Sequence, residues 1–347
     1  MTNAAAAGSA NEKKQGFFAR YWARNKATDN NYLLKRDVAR IAAGIFTTVL
    51  LFGLCFLILQ PLLLQFSNSI MSRNDLFDPT VISIPREPTL LNYQTATRLM
   101  SYWGSLFNSL WVTALVAVLQ IVACTLVAYG FARFEFPLKR FWFACVILTV
   151  LVPPQVIRSP LFLNFHFFDF FGLVTLFTEP LMLTNTLTGY LILSATAMGL
   201  RNGLYIFMLR QYFRNMPKEL EESAWVDGCG KLRTFVQIML PDAVPMLVSC
   251  FLFAFVWQWT DGFYTSMFLR EYGVMAVQMA GLGDAFHFDY VRQVAAATGT
   301  QGAAPPIALL QAVISTGVLI GIAPVIVIYL FAQRYFVESI GQSGIKM

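Results

Sequence analysis

Long apolar stretches alternate with short polar ones along most of the chain. Six of them, residues 41–65, 107–129, 141–163, 187–209, 244–268 and 307–331, are each long and oily enough to cross a bilayer as a helix. A span needs about 20 mainly apolar residues at a rise of 1.5 Å each. Pro61 loosens the far end of the first stretch, and Pro153-Pro154 break the third, as a gate hinge or only as a fixed bend. The pattern therefore predicts an all-α fold, a polytopic membrane helical bundle of about six transmembrane helices. Residues 1–40 are expected as a tail, 41–333 as the membrane domain and 334–347 as a second tail. Residues 17–24, FFARYWAR, read as a short amphipathic helix at the membrane surface. Residues 67–106, 164–186 and 269–306 read as loops, the second of them aromatic enough to sit in the interface.

Composition agrees with this reading. The 347 residues are 57% hydrophobic and 13% charged, and Phe occurs 32 times. Soluble domains carry about 25% charged residues. The net charge of +6 is not a nucleic-acid footprint, because the basic residues cluster beside spans. An even number of spans puts both termini on one face. The tails and the loops sharing that face hold eighteen Lys and Arg, against five on the other. The positive-inside rule then makes that face, with both termini, cytosolic. Of five Cys, four lie in apolar runs and none in a CxxC pair, and His166 and His287 have no ligand spacing. No metal, disulfide framework or cofactor is expected.

One polar segment breaks the rhythm. Residues 217–241 contain ELEESAWVDGCGKLRTFVQIMLP, with both signs of charge. Pro217 suits a first helical turn, and Glu219, Glu221 and Glu222 suit the positive end of a helix. Asp227-Gly228 breaks the helix, since Gly tolerates the left-handed cap conformation. A second helical stretch from Lys231 places Leu232, Phe235, Val236 and Met239 near one side. Two short helices around a glycine turn are expected. Each Asp, Lys or Arg at bilayer depth costs about 2.5–3.5 kcal/mol, so the unit belongs outside the membrane, as an ordered docking ledge or as a solvated connector. The GCGK within it is not a phosphate loop: Trp225 stands where the first Gly is needed and Leu232 where Ser or Thr is needed. No nucleotide site is visible in the chain.

Glu222-Ser223-Ala224, Asp227-Gly228, Phe235, Ile238, Leu240-Pro241 and Pro245 together resemble the EAA loop of permease subunits in binding-protein-dependent ABC importers. Ser223 stands where the motif's name has its first Ala. Flanking segments, among them AYGFARFEFPLKR, VPPQVIRSPLF and VWQWTDGF, resemble the carbohydrate subfamily of the maltose-permease type. The chain departs from it in Asp261, where Asn is common, and in a longer stretch between Gly172 and Arg210. The resemblance implies half of a translocation pathway for a sugar or oligosaccharide. Its implied partners are a second permease subunit, a cytosolic ABC ATPase dimer, an extracytoplasmic solute-binding protein and membrane lipid. It implies ATPase coupling through Glu219, Leu220, Glu222, Ser223, Ala224, Asp227 and Gly228, with Ala224 permitting close approach and Glu222 pairing with a basic group. Residues 333–347 are similar to a tail that reaches toward the ATPase, and the last outer loop to one that probes the binding protein.

Substrate-pathway candidates are Asn108, Arg201, Trp257, Gln258 and Asp261, with Trp259 and Phe263 as further aromatics. The rings suit stacking on sugars, and equally packing or an interface belt. Arg201 either faces the bundle interior or snorkels to the surface from a span ending near Leu200. A secondary transporter would need acidic residues inside the spans, and Asp261 is nearly alone there. A polyol or glycerol phosphate remains open as cargo, as does a scaffold role. The chain is read as a transport subunit and not as an enzyme.

Overall fold

The structure, a computed structural model, describes residues 32–169, 172, 174–176, 179–299 and 302–344, with backbone alone for 32–34 and 334–344. The expectations for residues 1–30 and for the side chains of the C-terminal tail fall outside that range. The chain divides into two units, Met1–Leu64 and Gln65–Met347. In the first, the described residues form most of helix α1 (Tyr32–Ile70), which carries Pro61 within it.

The second unit contains α2 (Arg73–Phe77), α3 (Leu91–Leu99), α4 (Tyr102–Arg133), α5 (Lys139–Leu151), α6 (Arg158–His166), α7 (Leu187–Ala195) and α8 (Asn202–Asn215). Then follow α9 (Glu219–Val226), α10 (Lys231–Thr234), α11 (Leu240–Asp242), α12 (Val244–Trp259), α13 (Phe263–Phe268), α14 (Met275–Thr298) and α15 (Ile307–Gly344). No strand occurs among the described residues, only the isolated bridges Met71–Pro88 and Phe168–Leu181.

Helix α4 is the spine of this unit. At 32 residues it is about 48 Å long, and it packs against α7, α8, α12 and α14. Its buried stripe runs through Ala117, Ile121, Cys124 and Ala128 at helical spacing. Small residues on that stripe let neighbouring backbones come close, which is how helices associate where burial from water gives no drive. Helix α15 uses the same device. A Cβ at Gly317 would strike Leu282 of α14, and one at Gly321 would strike Met279.

Three of the six expected spans are not single helices. Residues long and apolar enough to cross a membrane as one helix are found in Lys35–Ile70, Tyr102–Arg133 and Ile307–Gln333. The third span bends by 100° between Lys139–Leu151 and Pro154–His166, at the two prolines. The fourth, expected as continuous over 187–209, is broken between α7 and α8. Ala197 takes a left-handed conformation at φ 56°, and the Met198 and Ala197 amides bond to the Leu193 and Ser194 carbonyls, closing α7 with a Schellman-type cap. The fifth, expected over 244–268, ends as a helix at Trp259 and resumes at Phe263. Asp261 caps the new start by accepting from the amides of Phe263, Tyr264 and Thr265 at 3.2, 2.9 and 3.2 Å.

The stretch 269–306 also differs from the loop expected of it. Met275–Thr298 is a 24-residue helix, α14, packed on α3, α4 and α15. Its buried positions Met275, Ala276, Leu282 and Phe286 fall on one face, a period concealed in sequence by the Gly and Ala run after them.

Candidate functional site

The polar segment folds as two helical pieces around a glycine, as its sequence predicts. Helix α9 opens after Pro217, with Lys218 at the N-cap and Glu219, Glu221 and Glu222 in the first turn. It closes in a Schellman motif. The Cys229 amide reaches the Ala224 carbonyl at 2.9 Å and the Gly228 amide the Trp225 carbonyl at 3.0 Å. Gly228 sits at φ 86° with nothing within 4 Å of where a Cβ would stand. The requirement for glycine is therefore conformational and not steric crowding. The Ser223 hydroxyl folds back onto the Leu220 carbonyl at 3.1 Å.

From Lys231 the chain runs through α10, a π-helical turn over Phe235–Met239, and α11. This arm meets α12 at a 74° bend. The face of the arm that packs begins at the fully buried Thr234. Phe235 and Met239 are buried, but Leu232 and Val236, expected beside them, are 75% and 50% exposed. Trp225 and Val226 are exposed too. The outer surface of the segment thus combines Glu219, Glu222 and Asp227 with apolar Val226, Trp225 and Leu232.

The inner surface is fastened by a carboxylate that the sequence reading treated only as a charge. Glu221 is buried, and accepts from the Tyr129 hydroxyl at 2.6 Å. Its other oxygen lies 3.4 Å from Arg133 Nε, with both side chains only 6% exposed. Arg133 also donates to the Met216 carbonyl at 2.9 Å. The Tyr129 ring is packed between Phe213, at 5.4 Å, and Phe235, at 4.6 Å. One buried carboxylate therefore ties α9 to the last turns of α4. The clue in sequence is spacing: Glu221 shares the face of Ala224, three residues on, and Tyr129 precedes Arg133 by one helical turn.

Ala224 needs correction. It is buried at 3% exposure against its own chain, so its small side chain serves packing inside the subunit rather than close approach by a partner. Glu219, Leu220, Glu222, Ser223, Asp227 and Gly228 are exposed as a group.

The pathway candidates separate into two sets. Arg201 and Trp257 come together, the guanidinium carbon 4.1 Å from the centroid of the indole ring. Asn108 donates to the Tyr272 carbonyl at 2.8 Å. Gln258 and Asp261 are buried elsewhere: Gln258 donates to the Tyr190 hydroxyl, and Asp261 is occupied in capping α13. Trp259 is buried as well and donates to the Gly321 carbonyl at 2.9 Å. These three hold helices together. No group of His, Cys, Asp and Glu suited to a metal ion is found among the described residues.

Residues 120–341 match the model of the binding-protein-dependent transport system inner membrane component. A probable ABC transporter permease protein of Pyrococcus horikoshii is 34% identical over 188 residues, which are 53% of this chain and 61% of that one. An arabinooligosaccharides transport system permease protein of Halalkalibacterium halodurans is 24% identical over 90% of this chain and the whole of its own. Among solved structures, a bacterial ABC transporter involved in the import of the acidic polysaccharide alginate has a chain that superposes with a TM-score of 0.65. It is 22% identical, over 86% of this chain and 98% of its own.

Proposed function

The chain belongs to the family of binding-protein-dependent transport system inner membrane components, and from that premise we propose that it forms half of the translocation pathway of an ATP-driven importer for a sugar or oligosaccharide. A second permease subunit supplies the other half. Two cytosolic ATPase subunits dock beneath, and an extracytoplasmic binding protein delivers the cargo. Relatives named for arabinooligosaccharides, starch degradation products and diacetylchitobiose support a saccharide. The bias of Lys and Arg supports cytosolic termini and a cytosolic 217–241 segment.

The observation that carries the reading is the two-sided build of α9 and its arm. The inner side is clamped by Glu221 to Tyr129 and Arg133. The outer side is left with acidic and apolar groups in the open. A lever needs both: a grip for the part that pushes and a stiff joint to the part that moves. Closure of the ATPase pair displaces α9, and the clamp passes that displacement to α4, the spine against which α7, α8 and α12 pack. A loose segment would absorb the movement.

Affinity purification of the tagged chain from its host membranes tests this. A second permease and an ATP-binding subunit should come with it in stoichiometric amounts. Recovery of the chain alone, with cargo uptake unaffected by deletion of its gene, rules the reading out.

A further inference from the structure

The break between α7 and α8 places a cation at a depth where cations are rare. Gln120 of α4 reaches across to the Leu200 carbonyl and to Asn202, which fixes the height of the break. Gln120 lies thirteen residues from Arg133, the end of α4, and Trp257 lies thirteen residues from Val244, the start of α12. Both are then about 20 Å along their helices, well inside a hydrocarbon layer of about 30 Å. Arg201 is exposed here, at φ 59°, and has no ion pair among the described residues.

Lipid does not tolerate this arrangement. Irregular backbone at membrane depth survives only inside protein or beside a water-filled cavity. A charged side chain there is expensive and marks a pathway or a partner charge. The surroundings add to the positive potential instead of relieving it. Arg201 stands at the N-terminus of the 14-residue α8, the positive end of that helix's dipole. The Trp257 ring covers one face of the guanidinium, whose fork of N–H donors lies in the plane of the group and is not used by that contact. Two further polar groups nearby are buried and unpaired: the Asn202 amide nitrogen, next in the chain, and the Tyr205 hydroxyl, one turn on, its ring 6.1 Å from Trp257.

We propose that Arg201, held by Trp257 at this break, is a pathway subsite for a carboxylate, and that the cargo is an acidic saccharide such as a uronate oligomer. This deepens the saccharide-importer reading and rests on it. Arg201 takes the carboxylate through paired N–H···O bonds, and the end of α8 supplies the remaining attraction.

The test is uptake by host cells expressing the whole system, with labelled uronate oligomers and neutral oligosaccharides of the same length. Wild type should take up an acidic member. Arg201→Gln should lower its maximal uptake by roughly tenfold or more, and Arg201→Lys should restore part of it, with the amount of purified complex unchanged. Trp257→Phe, which keeps a ring, should fall between wild type and Arg201→Gln. Uptake confined to neutral sugars overturns the proposal, as does acidic uptake by Arg201→Gln within about twofold of wild type. Loss of the whole complex on Arg201→Gln, with Arg201→Glu assembling better than Arg201→Lys, also overturns it, because the cation would then serve subunit contact. Failure of the importer reading looks different, since no ATPase would co-purify with the wild-type chain.

Discussion

Replacing Glu221 by Gln keeps the size of the side chain and removes its charge. Arg133 then lies 6% exposed beside a neutral amide, with its charge no longer balanced and the Met216 carbonyl still accepting from it. Breaking one side of a buried pair costs about 3–5 kcal/mol, mostly because the other charge is stranded. Tyr129→Phe deletes a single 2.6 Å bond to a charged acceptor, at about 1.5–3 kcal/mol. For comparison, burying one large apolar side chain contributes about 1.5–3 kcal/mol, and Phe235 and Met239 still hold the arm. The loss is therefore too small to unfold the bundle. It is large enough to shift the balance of clamped against released α9 by roughly 100-fold to several thousand-fold. The assay is transport per ATP hydrolysed by the purified complex in proteoliposomes. Glu221→Gln should retain its ATPase subunits and hydrolyse ATP, with transport per ATP reduced about tenfold. Tyr129→Phe should lie between, and the double variant should lose less than the sum of the two, because they share one contact. An unchanged transport-to-hydrolysis ratio in Glu221→Gln would refute the lever argument. So would a lowered unfolding temperature in all three variants with that ratio intact.

Other outcomes follow from the same geometry. Gly228→Ala forces a Cβ into φ 86°, at about 1–2 kcal/mol; uptake should fall with Ala, fall further with Pro, which also lacks the amide bonded to Trp225, and recover in part with Asn. Val226→Glu alters a side chain that is 87% exposed, so the variant should fold normally and lose its ATPase subunits on purification. Asp261→Ala strips the acceptor from three amides at the start of α13 and should destabilise the subunit by about 1–2 kcal/mol, seen as earlier thermal unfolding in detergent, with Asp261→Asn close to wild type.

The helical class, the unbroken spans and the two-piece polar segment were legible in the residues. Apolar runs, Pro217 and Asp227-Gly228 are local signals, and local signals report local structure. Breaks were harder. The end of α7 is capped by Ala197 in a conformation usually left to Gly, and no residue type announces it. Helix α14 was hidden because its contacts with α3, α4 and α15 reward a helix that its Gly and Ala content does not advertise. Leu232 and Val236 were misassigned because the face that packs runs through Thr234, Phe235, Ile238 and Met239, and a buried Thr does not announce itself in an apolar count. Glu221 was overlooked for a different reason: three acids at a helix start all satisfy the same electrostatic rule, and only the position of Tyr129, 92 residues earlier in the chain, distinguishes the buried one. Of the pathway candidates, Arg201 and Trp257 meet, while Gln258 and Asp261 are used up by Tyr190 and α13.

The most direct test of the lever is a photo-crosslinking residue at Val226, the most exposed apolar position on α9, activated in intact host cells. The account predicts an adduct between this chain and an ATP-binding subunit. The yield should change when the ATPase is trapped with a non-hydrolysable nucleotide. An adduct with an extracytoplasmic protein, or none at a site that crosslinks freely once the chain is purified alone, would contradict it.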